Sequence, residues 1–165
     1  MSTRSSVRTK NAIYYVENEM IRGLMSVISQ VGLSLSPLLD LKETLVTGIV
    51  FHLERRTLNA IRLEFHDSRG NTIANGFGLW LFEVNYSSSG NGIIEFPVNK
   101  VLSELHRNRY ALSAAVVYKI TLDVPAGSVL APGWSWLNTT QNGSGYSTYV
   151  ASFGYDPLNV SVHRK

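Results

Sequence analysis

Apolar residues in the first third of the chain recur at helical spacing. Ile13, Val16, Met20, Leu24, Val27 or Ile28, and Val31 fall three or four positions apart, which gathers them on one stripe. Glu17, Asn18, Arg22 and Ser29 fall largely off that stripe. The pattern predicts a long helix from about Ala12 to Val31 with its apolar face in the core, and Gly32 is a plausible stop. A second helical face follows in Leu41, Leu45, Ile49 and His52 or Leu53. Asp40 and Glu43 stand three residues apart, the spacing of a capping box at its start. Gly23 and Gly48 interrupt these two faces. A glycine inside a helix costs about 1 kcal/mol relative to alanine, so each suggests close approach of another group.

The period then changes from helical to alternating. In "LNAIRLEFHD", Ile61, Leu63 and Phe65 alternate with Arg62, Glu64 and His66. Ser68 to Asn71 is turn chemistry, and "TIANGFGLWLFEVNY" returns as a second strand, so the pair predicts a hairpin. Gly76 and Gly78 suggest a bulge or kink in it. A short third helix carries Val98, Val101, Leu102 and Leu105 on one face, with Pro97 near its start. "ALSAAVVYKITLDV" reads as a third strand. Its centre, Ala114 to Val117, is apolar on both faces and so predicts cover on both sides. Pro125 and Gly127 end it.

From Ala126 onward the chain is poor in charge but rich in rings: Trp134, Trp136, Tyr146, Tyr149, Phe153 and Tyr155. "YSTYVASFGY" and "LNVSVH" alternate like short strands. Two tryptophans stand beside the polar, glycine-dotted run Asn138 to Gly145, and an aromatic side chain buries about 150–250 Å² when it docks. Helices and bunched strands without strict β-α-β alternation predict an α+β fold on an antiparallel sheet.

At 165 residues with 44% hydrophobic and 16% charged composition, the chain predicts one globular domain with a real core. Residues 1–10 are polar and basic and read as a disordered tail, leaving 11–165 as the domain. No signal peptide and no stretch able to span a bilayer is evident, which predicts a cytoplasmic protein. The four Asn-x-Ser/Thr sequons, at Asn85, Asn138, Asn142 and Asn159, then read as turn and strand residues. A net charge of +3 with scattered basic residues argues against direct nucleic-acid binding, which concentrates charge on one face.

Chemistry-bearing motifs are few. There is no cysteine, hence no disulfide framework, thiolate metal site or thiol nucleophile. His52, His66, His106 and His163 lack the spacing of a helical metal pair. No phosphate-binding glycine loop and no Gly-x-Ser-x-Gly elbow occurs. The expectation is a non-enzyme with no catalytic residues, no metal and no cofactor. A small hydrolase or ligand-binding protein is the competing class, and a pocket lined by paired carboxylates or histidines would favour it.

Three stretches carry a resemblance: "YYVENEMIRGLMSVISQVGL", "LNAIRLEFHDSRGNTIANGFGLWLFEVNY" and "VVYKITLDVPAGSVLAPGWS". Their order and spacing resemble the bacterial HORMA domains found beside CD-NTase nucleotidyltransferases in CBASS anti-phage operons. The second strand departs by carrying "GFGLWLFE" where relatives place an Arg-Trp-Asp-like segment. The resemblance implies three central helices packed on an antiparallel sheet. It also implies a C-terminal safety belt, here 125–165, that wraps a closure-motif peptide. Trp134 and Trp136 would anchor the start of that belt. The strand accepting the peptide would be the one that runs into the belt, through Val116, Val117, Tyr118, Lys119, Ile120 and Thr121. The resemblance further implies that the closed form binds and activates a CD-NTase making a cyclic nucleotide second messenger. It implies an AAA+ ATPase remodeller that reverses closure by pulling on Ser2, Thr3, Arg4, Ser5, Ser6, Val7 and Arg8. The alternative role within the same family is a partner HORMA that donates its own terminal closure motif to a second HORMA protein. Without the resemblance, the tail equally reads as a fixed pair of strands on a static binding module.

Overall fold

A computed structural model describes residues 3–73, 78–86, 93–94, 97–107, 115–136, 148–155 and 158–164. The first element, α1 (Thr3–Gln30), buries Val16, Met20, Leu24, Val27 and Ile28 completely, and Val31 just beyond its end is buried with them, as the apolar stripe predicts. Burying such a side chain contributes roughly 1.5–3 kcal/mol each. Gly32, at φ +86°, ends the helix. Its N–H donates to the Ser29 carbonyl at 3.1 Å while Leu33 N–H reaches back to Ile28 at 3.2 Å. That is the glycine-capped helix end in which a left-handed residue satisfies two orphan carbonyls.

In the structure α1 begins at Thr3, within the stretch that the sequence reads as a disordered tail. Thr3 to Lys10 contains neither glycine nor proline. Extending an existing helix over such residues is far less costly than nucleating one. Met1 and Ser2 lie outside the described residues. The expected capping box is also absent. Asp40 is the last residue of a short α2 (Ser36–Asp40), and α3 (Lys42–Glu54) starts from Leu41 with no side-chain cap. Pro37 in the first turn of α2 starts a helix earlier than the apolar pattern reveals. Leu41 is consequently 63% exposed, while Leu45, Ile49, His52 and Leu53 are buried as a face.

The strands are β1 (Ala60–His66), β2 (Leu79–Asn85), β3 (Ile93–Ile94), β4 (Val117–Asp123), β5 (Thr148–Tyr155) and β6 (Leu158–Arg164). A fourth helix, α4 (Val98–Arg107), lies between β3 and β4. All pairs are antiparallel, and the described strands form one sheet in the order β3-β5-β6-β2-β1-β4. The predicted hairpin is β1–β2. Asp67 makes its turn by accepting the N–H groups of Arg69 and Asn71 at 2.9 and 3.0 Å. Gly78 lies so close to the Ile73 carbonyl that a Cβ there would overlap it. Gly76 lies outside the described residues.

Ile61, Leu63 and Phe65 are fully buried, together with Trp80 and Phe82 of β2, and Val160, Val162 and Phe153 of the C-terminal hairpin. α1 contacts α3, α4, β5 and β6. The result is helices packed on an antiparallel sheet, with the C-terminal strands a full part of the core. Val101 and Leu105 hold α4 to it.

One expectation for β4 fails. The sequence predicts cover on both faces around Val117, yet Val117 is 60% exposed and, among the described residues, β4 pairs only with β1. Ala114 lies outside the described residues. An apolar run marks a strand, but whether that strand is central depends on long-range pairing that the run does not encode. The helix side of β4 is fastened by Tyr118. Its hydroxyl donates to the Ser34 carbonyl at 2.9 Å and accepts the Leu38 N–H at 3.0 Å. Burial raises the pKa of this hydroxyl. Tyr118→Phe is expected to lower stability by about 1–2 kcal/mol by stranding both backbone groups. A thermal melt identical to the parent's would show that water replaces the hydroxyl without loss.

Candidate functional site

Beyond Asp123 the chain makes two turns. Ser128 N–H donates to the Pro125 carbonyl at 3.1 Å, and Trp134 N–H to the Ala131 carbonyl at 3.2 Å. Gly127 and Gly133 supply the positive φ these turns require, +82° and +85°. The second turn delivers Trp134 onto α3. Its indole Nε1 donates to the Thr44 carbonyl at 3.1 Å. The ring occupies the space over Gly48, where a Cβ would come within 2.8 Å of Trp134 Cε2 and 3.0 Å of Leu122 Cδ1. The glycine flagged by sequence as a close-approach site is therefore the seat of Trp134. Ala131, at 1% exposure, anchors the same turn.

Between β4 and this overhang lies a cleft of about 430 Å³. Of the strand and belt residues singled out by sequence, Lys119, Ile120, Thr121, Trp134 and Trp136 line it. Val116, Val117 and Tyr118 do not. Tyr118 is turned toward α2 instead. Trp134 is half-buried, whereas Trp136 is 49% exposed at the rim. Sequence reasoning missed His52, Arg62, Glu64, Leu122, Asp123 and Leu130, which also line the cleft. The only signal for β1's share was its polar alternate face.

Of the polar members, Arg62 and Asp123 meet each other, while Glu64 and His52 face partners outside the lining. Arg62 meets the Asp123 carboxylate at 3.5 Å. Glu64, only 2% exposed, faces His66 Nε2 at 3.1 Å. His52 is buried and shares a hydrogen bond of 2.8 Å between Nδ1 and Thr57 Oγ1. Desolvation, with Arg55 nearby, lowers its pKa, so the neutral ring is favoured. Among the described residues no cluster of three His, Cys, Asp or Glu side chains is placed to hold a metal ion.

The backbone of β4 decides what this cleft can do. Phe65 of β1 exchanges main-chain bonds on the β2 side: its N–H donates to Gly78 and its carbonyl accepts from Ile73. Main-chain groups alternate sides along a strand. The His66, Glu64, Arg62 and Ala60 groups therefore face β4, where their partners are Val117, Lys119, Thr121 and Asp123. The N–H and C=O groups of Tyr118, Ile120 and Leu122 point the other way, off the sheet and into the cleft side. An unpaired strand edge is a template for another strand.

A helix-backed sheet whose last strand pairs on one side only among the described residues, with the next segment of chain folded alongside its other edge, is the architecture of a HORMA-type protein-interaction domain. The chain belongs to the Bacterial HORMA domain 2 family, whose sequence profile matches residues 1–148. No curated protein sequence matches it. Its fold is similar to a chain in a solved structure titled "Crystal Structure of Mitotic Checkpoint Complex". That match has a TM-score of 0.65 at 9% identity and covers 95% of this chain and 96% of the other. HORMA domains are peptide-binding, protein-interaction folds. Ser2 lies outside the described residues, while Thr3 to Arg8 form the first turns of α1. No described helix is long and apolar enough to cross a membrane.

Proposed function

We propose that this protein is a peptide-binding signalling adaptor, in which an extended closure-motif peptide adds to the free edge of β4 beneath the start of a C-terminal belt. The observation that carries this reading is the pairing, across one cleft, of a strand edge without a partner among the described residues and an overhang pinned by Trp134. Main-chain hydrogen bonds would supply affinity, and alternate side chains specificity. A belt held over the peptide would slow its escape, and among related complexes affinity differences arise mostly in the dissociation rate.

The downstream roles rest on the family resemblance. The peptide-bound form would bind and activate a cytoplasmic CD-NTase, whose cyclic nucleotide signals phage infection. An AAA+ remodeller would reset it from the N-terminal segment Ser2–Arg8. The packing supports a pulling mechanism. α1 touches α3, and α3 holds Trp134 through Thr44 and Gly48. Unwinding α1 from its start would loosen the surface on which the belt is seated.

Deleting Ser2–Arg8 is expected to preserve the fold and peptide binding, because the fully buried stripe Val16, Met20, Leu24, Val27 and Ile28 is left in place. Co-purification with a CD-NTase should survive the deletion, and remodeller-driven peptide release should be lost. Undiminished release from the truncated protein would remove the handle. Failure of the full-length protein to retain a CD-NTase in the presence of peptide would remove the activator role.

A further inference from the structure

Taking the open edge of β4 as the peptide site, the geometry points to a particular peptide chemistry: an acidic side chain opposite Lys119, flanked on both sides by apolar residues. The alternation of β4 sets the pattern. A strand added to the edge would bond to the main chain of Tyr118, Ile120 and Leu122, and its residues opposite these would project to the same side as they do. That side is the helix side. Tyr118 reaches α2 there, and Leu122 lies beside the Gly48–Trp134 contact. Ile120, Leu122, Leu130 and Trp134 line the cleft there and offer apolar surface.

The intervening positions fall opposite Lys119 and Thr121. They form the non-hydrogen-bonded pairs, which hold side chains closest, with Cα atoms about 4.5 Å apart. Of the charged side chains around the cleft, Arg62 is engaged by Asp123 at 3.5 Å, and Glu64 is turned to His66 at 3.1 Å. Glu64 is the β1 residue in register with Lys119, yet its carboxylate makes no ion pair with it among the described residues. Lys119 is exposed on the edge strand and, among the described residues, is the cleft cation with no ion-pair partner. A carboxylate on the incoming strand completes an opposite-charge pair directly across from it, and a lysine there is repelled.

The test uses fluorescein-labelled nonapeptides in which valine alternates with threonine, the central outward position being Glu, Gln or Lys. Binding is read by anisotropy to the full chain and to Lys119→Glu. The parent should prefer the Glu peptide over the Lys peptide by about fivefold or more, the size expected of a cross-strand charge pair replaced by a like-charge pair. Lys119→Glu should reverse that order, and both preferences should shrink at high salt. Equal binding of all three peptides, or an order unchanged in Lys119→Glu, overturns the charge assignment while leaving edge binding intact. Absence of binding by every peptide overturns edge binding itself, and the inference with it.

Discussion

Trp134→Ala is expected to give a folded protein that releases a bound peptide at least tenfold faster than the parent. A fully buried tryptophan costs about 3–5 kcal/mol when truncated, so a half-buried one should cost roughly 2 kcal/mol. The main core, built by α1 against the sheet, does not depend on this ring. A domain of ordinary stability, about 5–15 kcal/mol, tolerates the loss. The missing ring acts where the belt meets α3: it removes the hydrogen bond to the Thr44 carbonyl and empties the seat over Gly48. About 1.4 kcal/mol of that loss expressed in the closed state is already a tenfold change. Gly48→Ala supplies an independent arm with a contrasting sign. Alanine in place of glycine inside a helix contributes roughly 0.5–1 kcal/mol of stability, but its Cβ would press to within 2.8 Å of the indole. Gly48→Ala should therefore speed peptide release in the parent and raise the melting temperature in the Trp134→Ala background. Dissociation of a fluorescent peptide, with circular dichroism for folding, decides it. A folded Trp134→Ala variant that kept its peptide as long as the parent would mean that Trp134 is not a belt anchor.

The elements were legible where their information is local. The stripe of α1 and the alternation of Ile61, Leu63 and Phe65 emerge from neighbours three, four or two positions apart, and their burial follows. The stop at Pro125 and Gly127 and the ring-rich C-terminal strands are legible for the same reason. The site was legible only in part. Gly48 announced that something comes close, but the partner, Trp134, lies far along the chain, and no local pattern names it. Glu64 was assigned to a polar face and is nearly inaccessible, because what covers a face is decided by tertiary packing. Sheet order is likewise absent from any window of sequence. The apolar run ending at Val117 has the composition of a central strand, yet β4 lies at the sheet edge. Under the proposed reading, that edge position is what lets the strand accept a peptide. The resemblance to HORMA domains singled out this strand, and the hydrogen-bond alternation adds which of its residues face outward.

That alternation makes the sharpest prediction. Proline at Ile120 should abolish peptide binding while leaving a folded sheet, whereas proline at Thr121 should damage the sheet itself. Thr121 is in register with Arg62 and directs its N–H toward β1. Removing that donor breaks the ladder and strands a carbonyl, at a cost of about 1–3 kcal/mol. The Ile120 N–H faces away from the sheet, the setting in which an edge strand accepts proline. Proline there removes a middle donor of the three outward-facing residues, and its ring obstructs an incoming strand. Affinity should fall at least tenfold, about 1.4 kcal/mol. Ile120→Ala separates this effect from lost packing, since alanine keeps the N–H. It should weaken binding less than proline does, while lowering the melting temperature by a similar amount. Amide hydrogen exchange adds a direct reading. In the parent, the amides of Tyr118, Ile120 and Leu122 should exchange quickly without peptide and become protected with it, while those of Lys119 and Thr121 stay protected throughout. Parental affinity in Ile120→Pro, or protection of the 118, 120 and 122 amides unaltered by peptide, would rule out strand addition at this edge.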